Sequence, residues 1–423
     1  MQHNIPVDQL TKEIGPQIVG MVTAIESCVH CGFCLPTCPT YKVLNDEMDS
    51  PRGRILLMKS VLEGSLPIRD AMPYIDLCLG CLACVTACPS GVQYDELVEP
   101  FKVYAENGAH HSLMDSAQGF LVRETLPYPD RFRIAATVGK LAQPLKGILP
   151  GEMRSMLELL PAKMQTSRPL PEFVPAEGKR RARVALLSGC VQQVIDAEIN
   201  WATIRVLSRN GVDVVIPRDQ NCCGAILMHA GDYDGARELA AHNLDVFPDD
   251  VDFVLTNAAG CGAGMKAYGT LFQGLDKETY ARKFASRVRD ISEFLLELGI
   301  MPPQPLATPK KVAYHDACHL KHAQKIADAP RQLLGAIANL ELLEIEDGDI
   351  CCGSAGTYNI EHPEIASQLG RMKAENILNS GAEMAVMGNI GCEVQIRKYL
   401  DGRLPVYHTI QVLDMAYGGE RWG

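Results

Sequence analysis

Cys28-Val-His-Cys31-Gly-Phe-Cys34-Leu-Pro-Thr-Cys38-Pro39 is answered fifty residues later by Cys78-Leu-Gly-Cys81-Leu-Ala-Cys84-Val-Thr-Ala-Cys88-Pro89. Each run sets three thiols within seven residues and a fourth after a gap of three. This is the ligand run of paired [4Fe–4S] clusters, in which the fourth cysteine serves the other cluster. The expected ligand sets are therefore Cys28, Cys31, Cys34 and Cys88 for one [4Fe–4S] cluster, and Cys78, Cys81, Cys84 and Cys38 for the second. The proline after each run stops a helix from continuing and turns the chain away. Zinc fits less well, because all-cysteine zinc sites use two separated C-x2-C knuckles. Disulfides at this density belong to small secreted domains, and this chain has 423 residues.

Outward from the runs, the remaining eight of the sixteen cysteines form two copies of one pattern. Cys190, Cys222-Cys223-Gly224 and Cys261 are matched by Cys318, Cys351-Cys352-Gly353 and Cys392. The gaps are 31 and 32 residues before the pair, then 37 and 39 after it. A shared period with a shared Cys-Cys-Gly core indicates duplication of a unit of about 120 residues. Around these cysteines, short apolar runs alternate with helical stretches. Strands are expected at 183–188, 212–216 and 251–255 in the first copy, and at 311–314, 340–344 and 383–387 in the second. Helices are expected near 195–210 and 231–245. Such alternation implies parallel sheets, with Cys190 and Cys318 just past strand carboxyl ends, where open α/β sheets place ligands. Each repeat then brings four thiolates to one site: Cys190, Cys222, Cys223 and Cys261, and Cys318, Cys351, Cys352 and Cys392. Further iron–sulfur clusters are expected there, with zinc in one repeat as the alternative.

The expected fold is an α+β multidomain chain. An N-terminal α-helical two-cluster ferredoxin domain (1–108) and a helical, Pro-rich connector (109–180) precede two duplicated α/β Cys-Cys-Gly modules (181–305 and 306–423). The long insertion from Pro39 to Leu77, with a helix at about 51–63, suggests the helical ferredoxin type found in respiratory dehydrogenases. A net charge of −11 argues against nucleic acid or an anionic membrane surface as a direct electrostatic partner. No signal-peptide pattern opens the chain and no run approaches the roughly 20 apolar residues of a membrane span. A reducing, cytoplasmic location follows, with at most a peripheral place at the inner membrane face.

These cysteines also carry a resemblance. With Gly53-Arg54-Ile55, Cys88-Pro-Ser-Gly91-Val92 and Cys351-Cys-Gly-Ser-Ala-Gly-Thr357 before His362-Pro363, the chain resembles the iron–sulfur subunit of bacterial glycolate oxidase over nearly its whole length. The resemblance implies a subunit of an oxidoreductase complex that works with flavin-binding dehydrogenase partners oxidising a 2-hydroxy acid. It would pass electrons to a quinone or another membrane acceptor, with no catalytic residue of its own and the substrate site on a partner. No G-x-G-x-x-G opens a βαβ unit here. Subunits of anaerobic glycerol-3-phosphate and D-lactate dehydrogenases share the module order. The catalytic subunit of heterodisulfide reductase is also similar, but its modules end in C-x2-C with five cysteines. Here Gly264 and Gln395 stand at the last position, leaving four thiolates each.

Other residues are candidates for tuning or docking. His30 lies between Cys28 and Cys31, where a hydrogen bond or positive charge would raise a cluster potential. Arg52 and Arg54 begin the helix between the runs, set either to offset cluster charge or to face solvent. His315, His319 and His322 share a helix face if a helix starts that early, as proton relays or non-thiolate ligands. The connector interleaves Arg131, Arg133, Lys140 and Lys146 with Phe120, Leu121, Phe132, Leu141 and Ile148, a pattern for docking a partner or membrane, or for packing over the repeats.

Overall fold

The computed structural model describes residues 1–106, 119, 123–148, 151–161 and 168–419. Residues 1–106 are helical. Helix Ile18–Ser27 packs on Asp95–Glu106, and Pro51–Leu62 packs on Ile68–Asp76. The first cysteine run leaves the end of Ile18–Ser27, with Cys28 at its C-cap. Pro51–Leu62 starts where Ser50 Oγ accepts from the Gly53 N–H at 3.1 Å and Pro51 supplies a preset first turn. Any side chain at Gly53 would meet the Glu47 carbonyl at 2.0 Å, so this helix start is pressed onto the loop beneath it.

Two sheets follow. Strands β1 (Phe173–Val174), β2 (Ala182–Leu186), β3 (Val212–Val215), β4 (Phe253–Thr256) and β5 (Val288–Asp290) lie in the order β1-β3-β2-β4-β5. Strands β6 (Lys310–His315), β7 (Leu340–Leu343), β8 (Met384–Met387) and β9 (Val406–His408) lie in the order β7-β6-β8-β9. With the antiparallel β1 set aside, both sheets are parallel and share one topology, as the duplication requires.

The last strand of each sheet, β5 or β9, is three residues long and runs directly into a capped helix. Neither is expected from the sequence, since three residues give no periodicity to read. A capping box at Asp290/Glu293 marks the first of these helices, and His408/Gln411 forms the equivalent box in the second.

The modules share one core. Val184, Leu186 and Val214 belong to the same buried cluster as Val312, Tyr314 and Val386. Helix Glu198–Arg209 of the first module packs on Thr409–Ala416 of the second, and Ile291–Leu298 of the first packs on Asp328–Gly335 of the second. Each module's early helix thus meets the other's last, the reciprocal arrangement of a two-fold contact. Arg205 clasps one arm by donating Nε at 3.1 Å and Nη2 at 2.7 Å to the buried Asp414 carboxylate. Phe294, Leu295, Leu333 and Leu334 fill the other arm, each fully buried aliphatic or aromatic group contributing about 1.5–3 kcal/mol.

The connector packs over the modules through helices Pro129–Ala142 and Gly151–Leu159. Phe120 and Leu121 lie outside the described residues. Phe132 turns inward to the core, while Ile134, Val138 and Leu141 face outward. Arg131 pairs with Glu124 and Arg133 with Asp130, so these two connector charges are balanced locally. Because β1 pairs with β3, the first sheet takes in residues 173–174, which precede the expected boundary at 181.

Candidate metal centres

The helical domain gathers its eight thiols into two groups. One cavity is lined by Cys28, Cys31, Cys34 and Cys88, and another by Cys38, Cys78 and Cys81, with Cys84 lining both. Each fourth cysteine therefore lines the cavity of the other run's trio. Burial pushes the Cys34 thiol up to about 11 and raises Cys81 and Cys84 well above the usual thiol range. Such thiols ionise when a cationic core shares their site, which is the chemistry of cluster ligation.

The surroundings of the two groups differ. Cys31 is exposed, and Val29 and Phe33 beside it are each 66% exposed. The backbone N–H of His30 sits against Cys28 Sγ, whereas its ring contacts the Met1 sulfur, so the amide rather than the imidazole reaches the thiol. Around the other group Cys38 is buried and Cys78, Cys81 and Cys84 are half-buried. Arg54, 1% exposed, donates to Thr40 Oγ1 at 2.9 Å, to the Tyr74 carbonyl at 2.7 Å and to Asp49 at 3.3 Å, and stands 3.9 Å from Cys38 Sγ. This rules out solvation for Arg54 and makes it the cation nearest that thiol set. Arg52 stays at the surface on Glu47 and the His30 carbonyl.

In the modules the thiols sit beyond the strand carboxyl ends. Cys190 Sγ is 3.3 Å from Cys222 Sγ, and Cys223 accepts hydrogen bonds from Cys222 and Cys261, which hold it below the usual thiol range. In the second module Cys318 and Cys351 are 3.9 Å apart and Cys352 contacts Cys392. Gly224 and Gly353 adopt φ of +83° and +88°, with the Ala236 and Ala366 carbonyls 3.2 and 2.9 Å from where a Cβ would stand. Only glycine fits that turn, which tucks the cysteine pair under the following helix. At Gly264 a Cβ would meet Ala225 Cβ at 2.8 Å. Gln395 is buried, donating to the Ala366 carbonyl at 2.9 Å and accepting from Asn359 at 3.0 Å. Neither position offers a fifth thiol, and Gly264 has no room for one.

The histidine cluster departs from the expected helix face. His315 ends strand β6, and a single π-turn, His319–Ala323, begins only after Cys318, so the three rings point to three places. His322 Nδ1 meets Thr86 Oγ1 at 2.7 Å, and His319 Nε2 meets the Gly80 carbonyl at 3.1 Å, both docking the second cysteine run onto the second module. Tyr358 adds a hydrogen bond from its OH to the Leu77 carbonyl at 3.0 Å. Cys81 thereby comes close enough to Cys318 and Cys351 for their charges to interact.

Seven of the eight module cysteines, all but Cys352, line one cavity of about 650 Å³ between the modules. Helices Pro129–Ala142 and Gly151–Leu159 wall it with Phe132, Ala135, Val138, Gly139 and Leu157. His229 from the first module contacts His319 across it, with ring centroids 4.9 Å apart and the planes tilted by 33°. Burial, helped by His319, pushes His229 down to about 3, keeping the ring neutral. Sequence reasoning misses His229, which no spacing sets apart from a core histidine.

Four facing thiol sets, two on a helical domain and two at the mouths of duplicated parallel sheets, define an iron–sulfur protein of the paired Cys-Cys-Gly class. The family models agree: residues 24–92 match a 4Fe-4S dicluster domain, and 184–266 and 312–397 match a cysteine-rich domain. The chain belongs to the family of glycolate oxidase iron-sulfur subunits. It is 37% identical to the probable glycolate oxidase iron-sulfur subunit of Bacillus subtilis, over 93% of this chain and 94% of that one. It is 35% identical to the glycolate oxidase iron-sulfur subunit of Escherichia coli, over 96% and 98%. The lactate utilization protein A of Shouchella clausii is 28% identical over 55% of this chain and 98% of its own length. No helix among the described residues is long and apolar enough to cross a membrane.

Proposed function

We propose that this chain is the electron-transfer subunit of a flavin-dependent 2-hydroxy-acid dehydrogenase, with glycolate the foremost substrate and a quinone the acceptor. When bound, iron–sulfur clusters would supply one-electron carriers: two [4Fe–4S] clusters in the helical domain and one centre in each module. Cys28, Cys31, Cys34 and Cys88 would hold the first, Cys78, Cys81, Cys84 and Cys38 the second, and the two Cys-Cys-Gly sets the others. The observation that carries this reading is the unbroken series of thiol sets. It runs from exposed Cys31, through Cys81 beside Cys318 and Cys351, to the cavity that both modules line.

The chain's own residues fit each end. Val29 and Phe33 put apolar surface around the outermost thiols, suited to docking a flavin-binding partner. At the far end the cavity would hold the modules' centres, and its apolar helix walls and two neutral histidines beside those thiols support a lipophilic acceptor such as a quinone there. Val138 both lines it and is 61% exposed, so the cavity reaches the surface beside the outward stripe of Ile134 and Leu141. That stripe supports a peripheral place on the membrane.

The test is to purify the native complex anaerobically and follow bleaching of the iron–sulfur absorption on adding glycolate, with D-lactate alongside. Rapid bleaching by glycolate supports the reading. Bleaching by D-lactate alone reassigns the substrate, and none with either, flavin partner present, overturns it.

A further inference from the structure

The two modules differ at one buried position next to their cysteines. Three residues before Cys190 stands Leu187, and three before Cys318 stands His315. His315 is 1% exposed at the carboxyl end of β6, and its Nδ1 has no hydrogen-bond partner. A ring nitrogen of His315 and the Sγ atoms of Cys352 and Cys392 all lie within 4.8 Å of one another. Leaving a buried imidazole nitrogen unpaired costs its full desolvation penalty unless something fills its site. Donors on a common metal stand roughly 3.5–4 Å apart for bond lengths of about 2.0–2.3 Å, so the trio closes on one ion with small adjustments.

Resting on the reading that the modules hold iron centres, we propose that His315 is a ligand of the second module's centre. That module then presents five donors, His315 with Cys318, Cys351, Cys352 and Cys392, against four in the first. The imidazole joins as a neutral donor and adds no negative charge, unlike a thiolate. The neighbouring cation, Lys373, is occupied by the Asp347 and Gly348 carbonyls at 2.6 and 3.1 Å, so it does not satisfy the ring. The two centres are therefore chemically distinct, the asymmetric one lying beside the thiols of the helical domain.

The test uses the native complex prepared with histidine selectively labelled with nitrogen-15, and pulsed electron paramagnetic resonance of its reduced centres. A directly coordinated nitrogen that changes with the label, persists in His319→Ala and disappears in His315→Leu with iron content unchanged is the expected result. His315→Cys, which keeps a ligand but adds charge, should retain iron and lower the midpoint potential of one centre. Spectra unaffected by the label, in protein whose Cys352→Ser variant loses iron, would overturn the ligand while leaving the iron reading intact. A Cys352→Ser variant with undiminished iron, or one zinc per chain released by His315→Leu, would instead remove the iron centre on which the inference rests.

Discussion

The two Cys-Cys-Gly modules have the same parallel topology, the same turn glycine and the same capped final helix, yet they have different neighbours. The second is docked onto the helical domain through His319, His322 and Tyr358, and its Cys318 and Cys351 face Cys81. The first reaches the helical domain through a peripheral contact, Tyr233 OH to Glu99 at 3.3 Å, and shows its thiols mainly to the shared cavity. Duplication copied the scaffold, and surface residues then gave each copy its position in the series.

Replacing one cysteine of each pair tests whether both positions matter. Cys352→Ser and Cys223→Ser should each cut quinone reduction by roughly 100-fold or more, since even supporting residues of metal sites cost 10–100-fold. Substrate should still reduce the partner's flavin in both. Full activity in Cys223→Ser alone would make the first module a bystander and break the comparison at its root.

The same contrast between exposed and enclosed recurs inside the helical domain. Arg54→Met strips a buried cation from Asp49 and Cys38 and should cost about 3–5 kcal/mol, read as iron loss and early unfolding. Arg52→Met, at the surface, should cost at most about 1 kcal/mol. Across the modules, Leu333→Ala in the apolar arm should cost about 2–5 kcal/mol. Arg205→Ala in the polar arm should cost about 1.5–3 kcal/mol. Equal melting temperatures for these two variants would show that the arms are energetically equivalent.

A pH-dependent effect concerns the first module's contact with the helical domain. Burial, with Asp95 adding to it, raises Glu99 to about 7. A carboxyl raised on folding contributes stability below its unfolded value, near 4.3, and loses it as pH rises toward 7. Glu99→Gln should flatten thermal stability between those values and exceed the native protein above pH 7. An unchanged pH profile would mean that folding does not bury Glu99.

Metal ligation demands cysteine at fixed spacing, so the four thiol sets are legible in the order of residues alone. The apolar runs at Val184–Leu186 and Met384–Met387 likewise announce the strands. Tertiary choices leave no local trace. Phe132 turns in and Ile134 out on one helix, and three histidines expected on one face diverge because a strand and a π-turn divide them. The docking of Cys81 against Cys318 joins residues more than two hundred positions apart, which no spacing rule reaches.

The reciprocal helix packing also sets an order in time. Helix Glu198–Arg209 is covered by Thr409–Ala416, which a ribosome makes only after Cys392, the last of the sixteen cysteines. During synthesis the first module therefore keeps an open flank until every thiol has emerged.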